Sequence, residues 1–355
     1  MQKYLKPILA FSILPQILLV KLLAHFPEFV EKYYSNGLYQ FISSLMHYVF
    51  GWIPFSVGDV LYTIAIVYII RWLIINRKRL LKDTKNWFLD VLTAISIGYF
   101  AFHLLWAFNY YRLPLHKSLN LSNDYTTKDL IHITKDLIAK TNLIHGLIVK
   151  DNNAKVVMPY TKSELLNLTP QGFEQLAKDY PQLAYHTSSL KRSIYSLPLT
   201  YMGFSGYLNP FTNEAQIDGL IPTYKYPTTA SHEIAHQLGY AAENEANFIG
   251  ALAAIDHSNI YFNYSGYSFA LQHCLNELYL RDPTKYQDLI VTVDIGVLKN
   301  YEEIKNFWLA YKNPSETFFK NTYSGFLKAN NQAAGIETYN YVVALFVNYF
   351  EANEL

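Results

Sequence analysis

The sequence predicts a mainly helical α+β protein in which three transmembrane helices precede one soluble domain. Three observations lead there. Half of the 355 residues are hydrophobic and only 16% are charged, well below the roughly 25% usual for soluble domains. The apolar excess crowds into the part before Tyr111. From about Leu115 onward the hydropathy becomes that of a globular unit of about 240 residues, a plausible single domain, with helical spacing and turn-rich stretches.

Three segments meet the requirement of about 20 mostly apolar residues for a spanning helix. They run from about Pro7 to His25, Val57 to Ile75 and Phe88 to Phe108. Lys21 and Arg71 lie near span ends, where long side chains can snorkel to the interface. Trp72, Trp87, Trp106, Tyr110 and Tyr111 suit an aromatic belt. No small-residue cleavage site follows the first segment, which ends His25-Phe26-Pro27-Glu28, so it reads as a retained helix rather than a signal peptide. The loop between the second and third spans holds Arg77, Lys78, Arg79, Lys82 and Lys85, and Lys3 and Lys6 precede the first. By the positive-inside rule the N-terminus is cytoplasmic, and three spans put everything after Tyr111 on the extracytoplasmic side. The expected division is therefore a membrane anchor at 1–112 and an extracytoplasmic domain at 113–355. Residues 37–50 are apolar but too short to span, and read as an interfacial helix ended before Pro54.

In the domain, Thr126 to Lys140 has helical spacing with Leu130, Ile133 and Leu137 on one face and Thr126 or Thr127 as cap. Thr169 to Tyr180 and Ile304 to Tyr311 also read as helices. Leu197 to Met202 suits an extended edge segment because of Pro198. A turn at Asn209 to Asn213 leads to a strand at Glu214 to Asp218. Pro222 and Pro227 bracket a loop, and a helix starts near Thr228 or Thr229.

That helix carries the chemistry. In His232-Glu233-Ile234-Ala235-His236 the histidines are four residues apart, so a helix presents both on one face. Two imidazoles so spaced can reach one zinc ion, and Glu233 can act as general base towards a zinc-activated water. With 11 His and 28 acidic residues, such a pattern arises by chance roughly once in forty chains. Its context is informative: Gly239 suits a helix end, and a second helix begins at Glu243-Asn244-Glu245-Ala246-Asn247. Glu243 and Glu245 point to opposite sides of that helix. Glu243, with Asn247 four residues on, is the preferred third ligand; Glu245 is the alternative, or else a structural carboxylate.

Together these residues resemble the glutamate-zincins, in which a Glu on a following helix completes the site. In the membrane members of that group, the CAAX-prenyl endopeptidase type, the second motif is Glu-x-x-Ala-Asp, which implies Glu243 as ligand and Asn247 in the Asp position. The gap between His236 and Glu243 is shorter than in those enzymes. Over nearly its full length the chain is also similar to an uncharacterised bacterial family of membrane-anchored zincins, a domain of unknown function. That resemblance is carried by the three spans, Trp106-Ala107-Phe108-Asn109-Tyr110-Tyr111 and Asn209-Pro210-Phe211-Thr212-Asn213-Glu214-Ala215-Gln216. It implies a zincin-like (gluzincin) metallopeptidase domain and no particular substrate.

The expected activity is zinc-dependent hydrolysis of a peptide or protein at the membrane surface. Metal ligands would be His232, His236 and Glu243, with Glu233 catalytic. Glu214 to Asp218 could pair with an extended substrate. Tyr264, Tyr267, Tyr339, Tyr341, His257 and His273 are candidates for stabilising the oxyanion. Rival readings are a non-catalytic zinc-binding receptor or scaffold, which has no need of Glu233, and a transporter component, disfavoured by the few ionisable residues in the spans. A net charge of +1 and aromatics without interleaved Lys/Arg disfavour nucleic acid. Cys274, the single cysteine, excludes an internal disulfide and reads as a buried small hydrophobe.

Overall fold

The computed structural model describes residues 2–335 and 341–353; Tyr339 lies outside them. Three helices are long and apolar enough to cross a membrane: α1 (Tyr4–Leu23), α3 (Val57–Asn76) and α4 (Thr84–Leu105). A turn at Ser12 interrupts α1, because Pro15 has no N–H to offer the Phe11 carbonyl. Between α1 and α3 a π-helical stretch, Val30–Leu38, continues into α2 (Tyr39–Phe50). The apolar segment expected at 37–50 is thus helical over Tyr39–Phe50. It buries Tyr39, Ser43 and His47 against the domain and turns Phe41, Leu45 and Tyr48 outward. The third apolar helix ends three residues before the expected Phe108. There Trp106 leaves helical geometry and Ala107–Tyr111 forms a 3-10 turn packed on the domain.

The domain opens with α5 (Thr127–Ile148), where Thr126 and Asp129 form a reciprocal capping box, satisfying two N-terminal backbone groups. It runs past the expected Lys140 because Ile144 and His145 remain buried. Then come α6 (Lys162–Leu168) and α7 (Pro170–Asp179), α7 following Thr169 as its pattern indicated. A small sheet follows, formed by β1 (Leu190–Arg192), β2 (Gly206–Leu208) and β3 (Ala215–Ile217), with α8 (Ser196–Met202) inserted after β1.

Two expectations are corrected here. Residues 197–202 are helical, because Pro198 lies in the first turn of α8, where no N–H is needed. The expected edge strand at 214–218 is the central strand: β3 pairs parallel with β1 and antiparallel with β2. Both of its edges are occupied, so it cannot receive a substrate strand. Among the described residues, β2 pairs on one side only, with β3, and its residues line a cavity beside α9.

Six helices complete the domain: α9 (Tyr226–Gln237), α10 (Glu243–Ile255), α11 (Ile260–Arg281), α12 (Pro283–Ile290), α13 (Ile295–Tyr311) and α14 (Pro314–Ala329), with α15 (Val342–Ala352) beyond the undescribed residues. Pro227 sits inside the first turn of α9, so that helix starts slightly before Thr228. Likewise α13 begins well before Ile304. The main core joins Leu130 and Leu137 of α5, Ile234 of α9, Phe248 and Leu252 of α10, and Tyr264 and Leu271 of α11. Cys274 is buried within it.

The apolar N-terminal part is bonded to this domain through buried polar groups. The Glu214 carboxylate accepts the first N–H groups of α3, from Val57 (3.1 Å) and Gly58 (2.5 Å), a favourable place for negative charge at a helix N-terminus. Asp59 accepts from Ser193 Oγ (2.9 Å) and Ile194 N (2.8 Å), and from Tyr207 Oη. Each bond ties α3 to the segments around the sheet that borders α9.

Candidate metal centre

The pentapeptide lies on α9, which is buried on nearly every side. Helix α10 crosses it so closely that a Cβ on Gly250 would fall 2.7 Å from the His232 nitrogen. Only glycine permits this approach, which brings the first turn of α10 against the histidines. Between the two helices the chain reverses at Gly239, whose φ of +89° suits the left-handed cap expected there.

Glu243 Oε2 lies 3.3 Å from His232 Nε2 and 3.5 Å from His236 Nε2, and the three side chains offer ligand atoms all within 4.8 Å of one another. Ligands about 2.0–2.1 Å from a tetrahedral zinc lie roughly 3.3 Å apart, so the cluster has the dimensions of such a site. Polar atoms in and around the cluster are also left without hydrogen bonds. His232 Nδ1, Glu233 Oε2 and Glu243 Oε2 are buried and make no hydrogen bond, which in a native interior calls for an explanation. A cation among the three ligand side chains accounts for the Glu243 oxygen directly. The residues present fit the metal.

Supporting groups set the orientation. His236 Nδ1 donates to the Tyr240 carbonyl (2.7 Å), which turns Nε2 to face the cluster. Glu243 Oε1 accepts from the Tyr323 hydroxyl (2.5 Å). Asn247 lies where it favours the protonated His232 ring, but His232 Nδ1 has no partner at hydrogen-bonding distance. Asn247 thus stands beside the ring without completing a hydrogen bond to it. Glu245 is turned away: its Oε1 accepts the Leu115 N–H (2.7 Å), and it lies near Arg112, which holds Glu31 with two bonds of 2.6 and 2.7 Å. Of the two glutamates, the fold brings Glu243 to the histidines and gives Glu245 a structural position.

Electrostatics follow from burial and mutual charge. Burial raises the Glu233 carboxyl to about 8, with Glu243 adding to the rise and His236 opposing it. For Glu243, burial alone would raise the value, but His236 and His232 outweigh it and hold the carboxyl well below its ordinary range. Burial depresses His236 less than Glu243 and Glu233 raise it, so that it reaches about 9. His232 is lowered, chiefly by burial.

The C-terminal carbonyls of α9 are held by the N-terminal part of the chain. Tyr39 Oη donates to Gln237 O (2.8 Å), Trp106 Nε1 to His236 O (3.2 Å) and Arg112 to Gly239 O (2.9 Å). Trp106 also stands edge-on to the His236 ring. On the other side, the Asn209–Gln216 segment forms a turn closed by Asn209 Oδ1 onto Phe211 N and Thr212 N. In that turn Asn213 accepts from Ser43 and pairs with His47, and its carbonyl accepts from Gln237. Both long motifs thus brace the metal helix.

The candidate oxyanion groups are mostly elsewhere. Tyr264 donates to Asn300, Tyr267 packs against Lys140, and His257 stacks on Phe262. Tyr341 is exposed. His273 borders a small recess beside Glu233, and its pKa falls to about 3 through burial and the nearby Lys225. Tyr323, which sequence reasoning missed, is the tyrosine that bonds to Glu243 among the described residues. It lies on α14, far along the chain, and no local pattern distinguishes it among 31 tyrosines.

No curated protein and no solved structure matches the chain. Residues 34–347 match the family described as "Protein of unknown function (DUF3810)", a span reaching from the segment before α2 through the metal cluster to α15, and the chain belongs to that family.

Proposed function

We propose that this protein is a zinc-dependent peptidase of the membrane, with its site on the extracytoplasmic side. The observation that carries the reading is the convergence of His232, His236 and Glu243 on one point beside a desolvated Glu233. Zinc held by those three residues would supply a Lewis acid and make water a competent nucleophile near neutral pH. Glu233 takes the proton as the water oxygen bonds to the scissile carbonyl carbon. It then delivers that proton to the leaving nitrogen as the C–N bond breaks, giving a carboxylic acid and an amine. Burial would keep Glu233 protonated near neutral pH without a metal; a zinc ion held beside it would lower that pKa and free the carboxylate to take the proton. A Cβ on Gly206 would come within 2.6 Å of Glu233 Oε1, so β2 runs directly beside the base. Its open edge could hold an extended peptide by main-chain hydrogen bonds. Tyr323 positions Glu243 and borders the cleft. The orientation rests on the basic loop between α3 and α4, which favours the cytoplasmic side and lies at the far end of those helices from the site.

The test uses full-length protein in detergent. Metal analysis should find about one zinc per chain in wild type and in Glu233→Gln, and mass spectrometry of a peptide library should show cleavage by wild type alone. A Glu233→Gln protein that keeps its zinc and its turnover would refute the mechanism. A folded wild type without zinc would refute the site.

A further inference from the structure

A cavity of about 730 Å³ ends at the metal cluster and extends from it to the apolar helices. Tyr62 and Ile66 of α3 and Phe102 of α4 line its outer part, and Leu199 of α8 and Phe211 line the part nearer the site. Apart from His232, Glu233, His236 and Glu243 at the site itself, its lining contains no charged side chain. Ile66 is nine residues into α3, hence roughly 13 Å along the helix, deep enough to lie at hydrocarbon level in a core about 30 Å thick.

The apolar helices leave a way in. Helices α3 and α4 meet near the hairpin that joins them, where Trp72 and Trp87 are 5.7 Å apart. Helix α1 packs on α4 through Ser12 and Ser96 (3.0 Å). At the domain end the space between α3 and α4 belongs to the cavity. On the far side of Glu233 lies a second, smaller recess of about 340 Å³, bordered by Lys225, Asn247 and Lys320. Both spaces share Phe204, Gly206, His232, Glu233 and Tyr323. An apolar chamber facing the bilayer therefore meets a polar one at the reacting carboxylate.

We propose that the substrate is a lipid-linked peptide whose single hydrocarbon chain enters from the bilayer between α3 and α4 and lies in the larger cavity. Its peptide part occupies the polar recess, so that hydrolysis falls next to the lipidated residue. A transmembrane helix is excluded by size, since 20 residues at a diameter of about 10 Å fill roughly 2,400 Å³. A charged soluble peptide finds no partner in the larger chamber, where its charge would be desolvated. The cleavage part of this inference rests on the peptidase reading; occupancy by the chain does not.

The experiment uses full-length Glu233→Gln protein in phosphatidylcholine nanodiscs and a short peptide carrying a palmitoyl chain with a terminal diazirine. After illumination, adducts are mapped by mass spectrometry. Labelling should concentrate on Phe102 and Phe211, and should fall at least tenfold in Ile66→Trp, which narrows the outer part, and in Leu199→Trp, which fills the inner part. Adducts on the outward-facing Ile70 and Ile97 should not change. Labelling spread evenly over Ile70 and Ile97 and insensitive to both variants would overturn the inference. So would equal labelling of the cavity by phosphatidylcholine bearing the same diazirine, since the space would then hold bulk lipid. In wild type, the palmitoyl peptide should be cleaved at least tenfold faster than the same peptide unacylated. Specific cavity labelling without cleavage of either peptide would leave the chain site standing and sink the peptidase reading; equal cleavage of both without cavity labelling would do the reverse.

Discussion

Glu243 and Glu245 stand two residues apart on α10, both buried, and the fold treats them in opposite ways. Around Glu245 the polar groups are matched: Leu115 N–H donates to it, and nearby Arg112 is bonded to Glu31, bonded to the Gly239 carbonyl and stacked over Tyr240 at 4.0 Å. Around Glu243 buried oxygen and nitrogen atoms are left without partners. Leaving such atoms unmatched costs on the order of 1–3 kcal/mol each. The fold thus anchors Glu245 on a backbone N–H near Arg112, whereas it sets Glu243 between Tyr323 and two imidazoles and leaves its Oε2 outside hydrogen-bond geometry.

The largest expected effect tests the Glu245 side. Arg112→Met would strand Glu31 and Glu245 and should destabilise the folded protein by about 3–5 kcal/mol, seen in denaturant unfolding, while zinc per folded chain stays unchanged. Loss of zinc at full stability would erase the distinction. On the other side, Glu243→Gln should weaken zinc binding by more than about 100-fold in competition with a chelating dye, whereas Glu245→Gln should leave the affinity within a few fold. Reversal of that pair would make Glu245 the ligand. A third effect is pH dependence. Attraction to Glu243 keeps His236 protonated up to about 9, yet a ligating histidine must be neutral. Zinc affinity should therefore rise by about tenfold per pH unit from 6 to 8, with proton release visible as buffer-dependent binding enthalpy. A flat profile would mean that His236 binds no metal. The smallest effect concerns the brace. Trp106→Phe removes one hydrogen bond to the His236 carbonyl and should cost about 1 kcal/mol of stability, with zinc affinity reduced only slightly.

Local pattern made much of this legible. The apolar helices were readable because length and hydropathy suffice for them; their ends were less so, since Trp106 breaks α4 through packing on the metal helix rather than through any local signal. The helix at 127–148 announced itself by its cap, but its end depended on buried partners such as Asp294. Residues 197–202 misled because Pro198 is equally at home in a first helical turn. The segment at 214–218 read correctly as a strand, yet its neighbours in the sheet are set by pairing over distance.

What the sequence determined by itself is the pair of histidines on one helical face with Glu233 directly after the first, Gly239 as the helix end, and a carboxylate-bearing helix soon after, because these depend only on helical period and local backbone freedom. Tertiary structure alone decided that Glu243 faces the histidines while Glu245 pairs elsewhere, that Tyr323 arrives from α14, and that residues of α3 and α4 line the cavity that ends at the cluster. Those outcomes turn on how rigid helices pack, and the close crossing at Gly250 is visible only once both helices are in place.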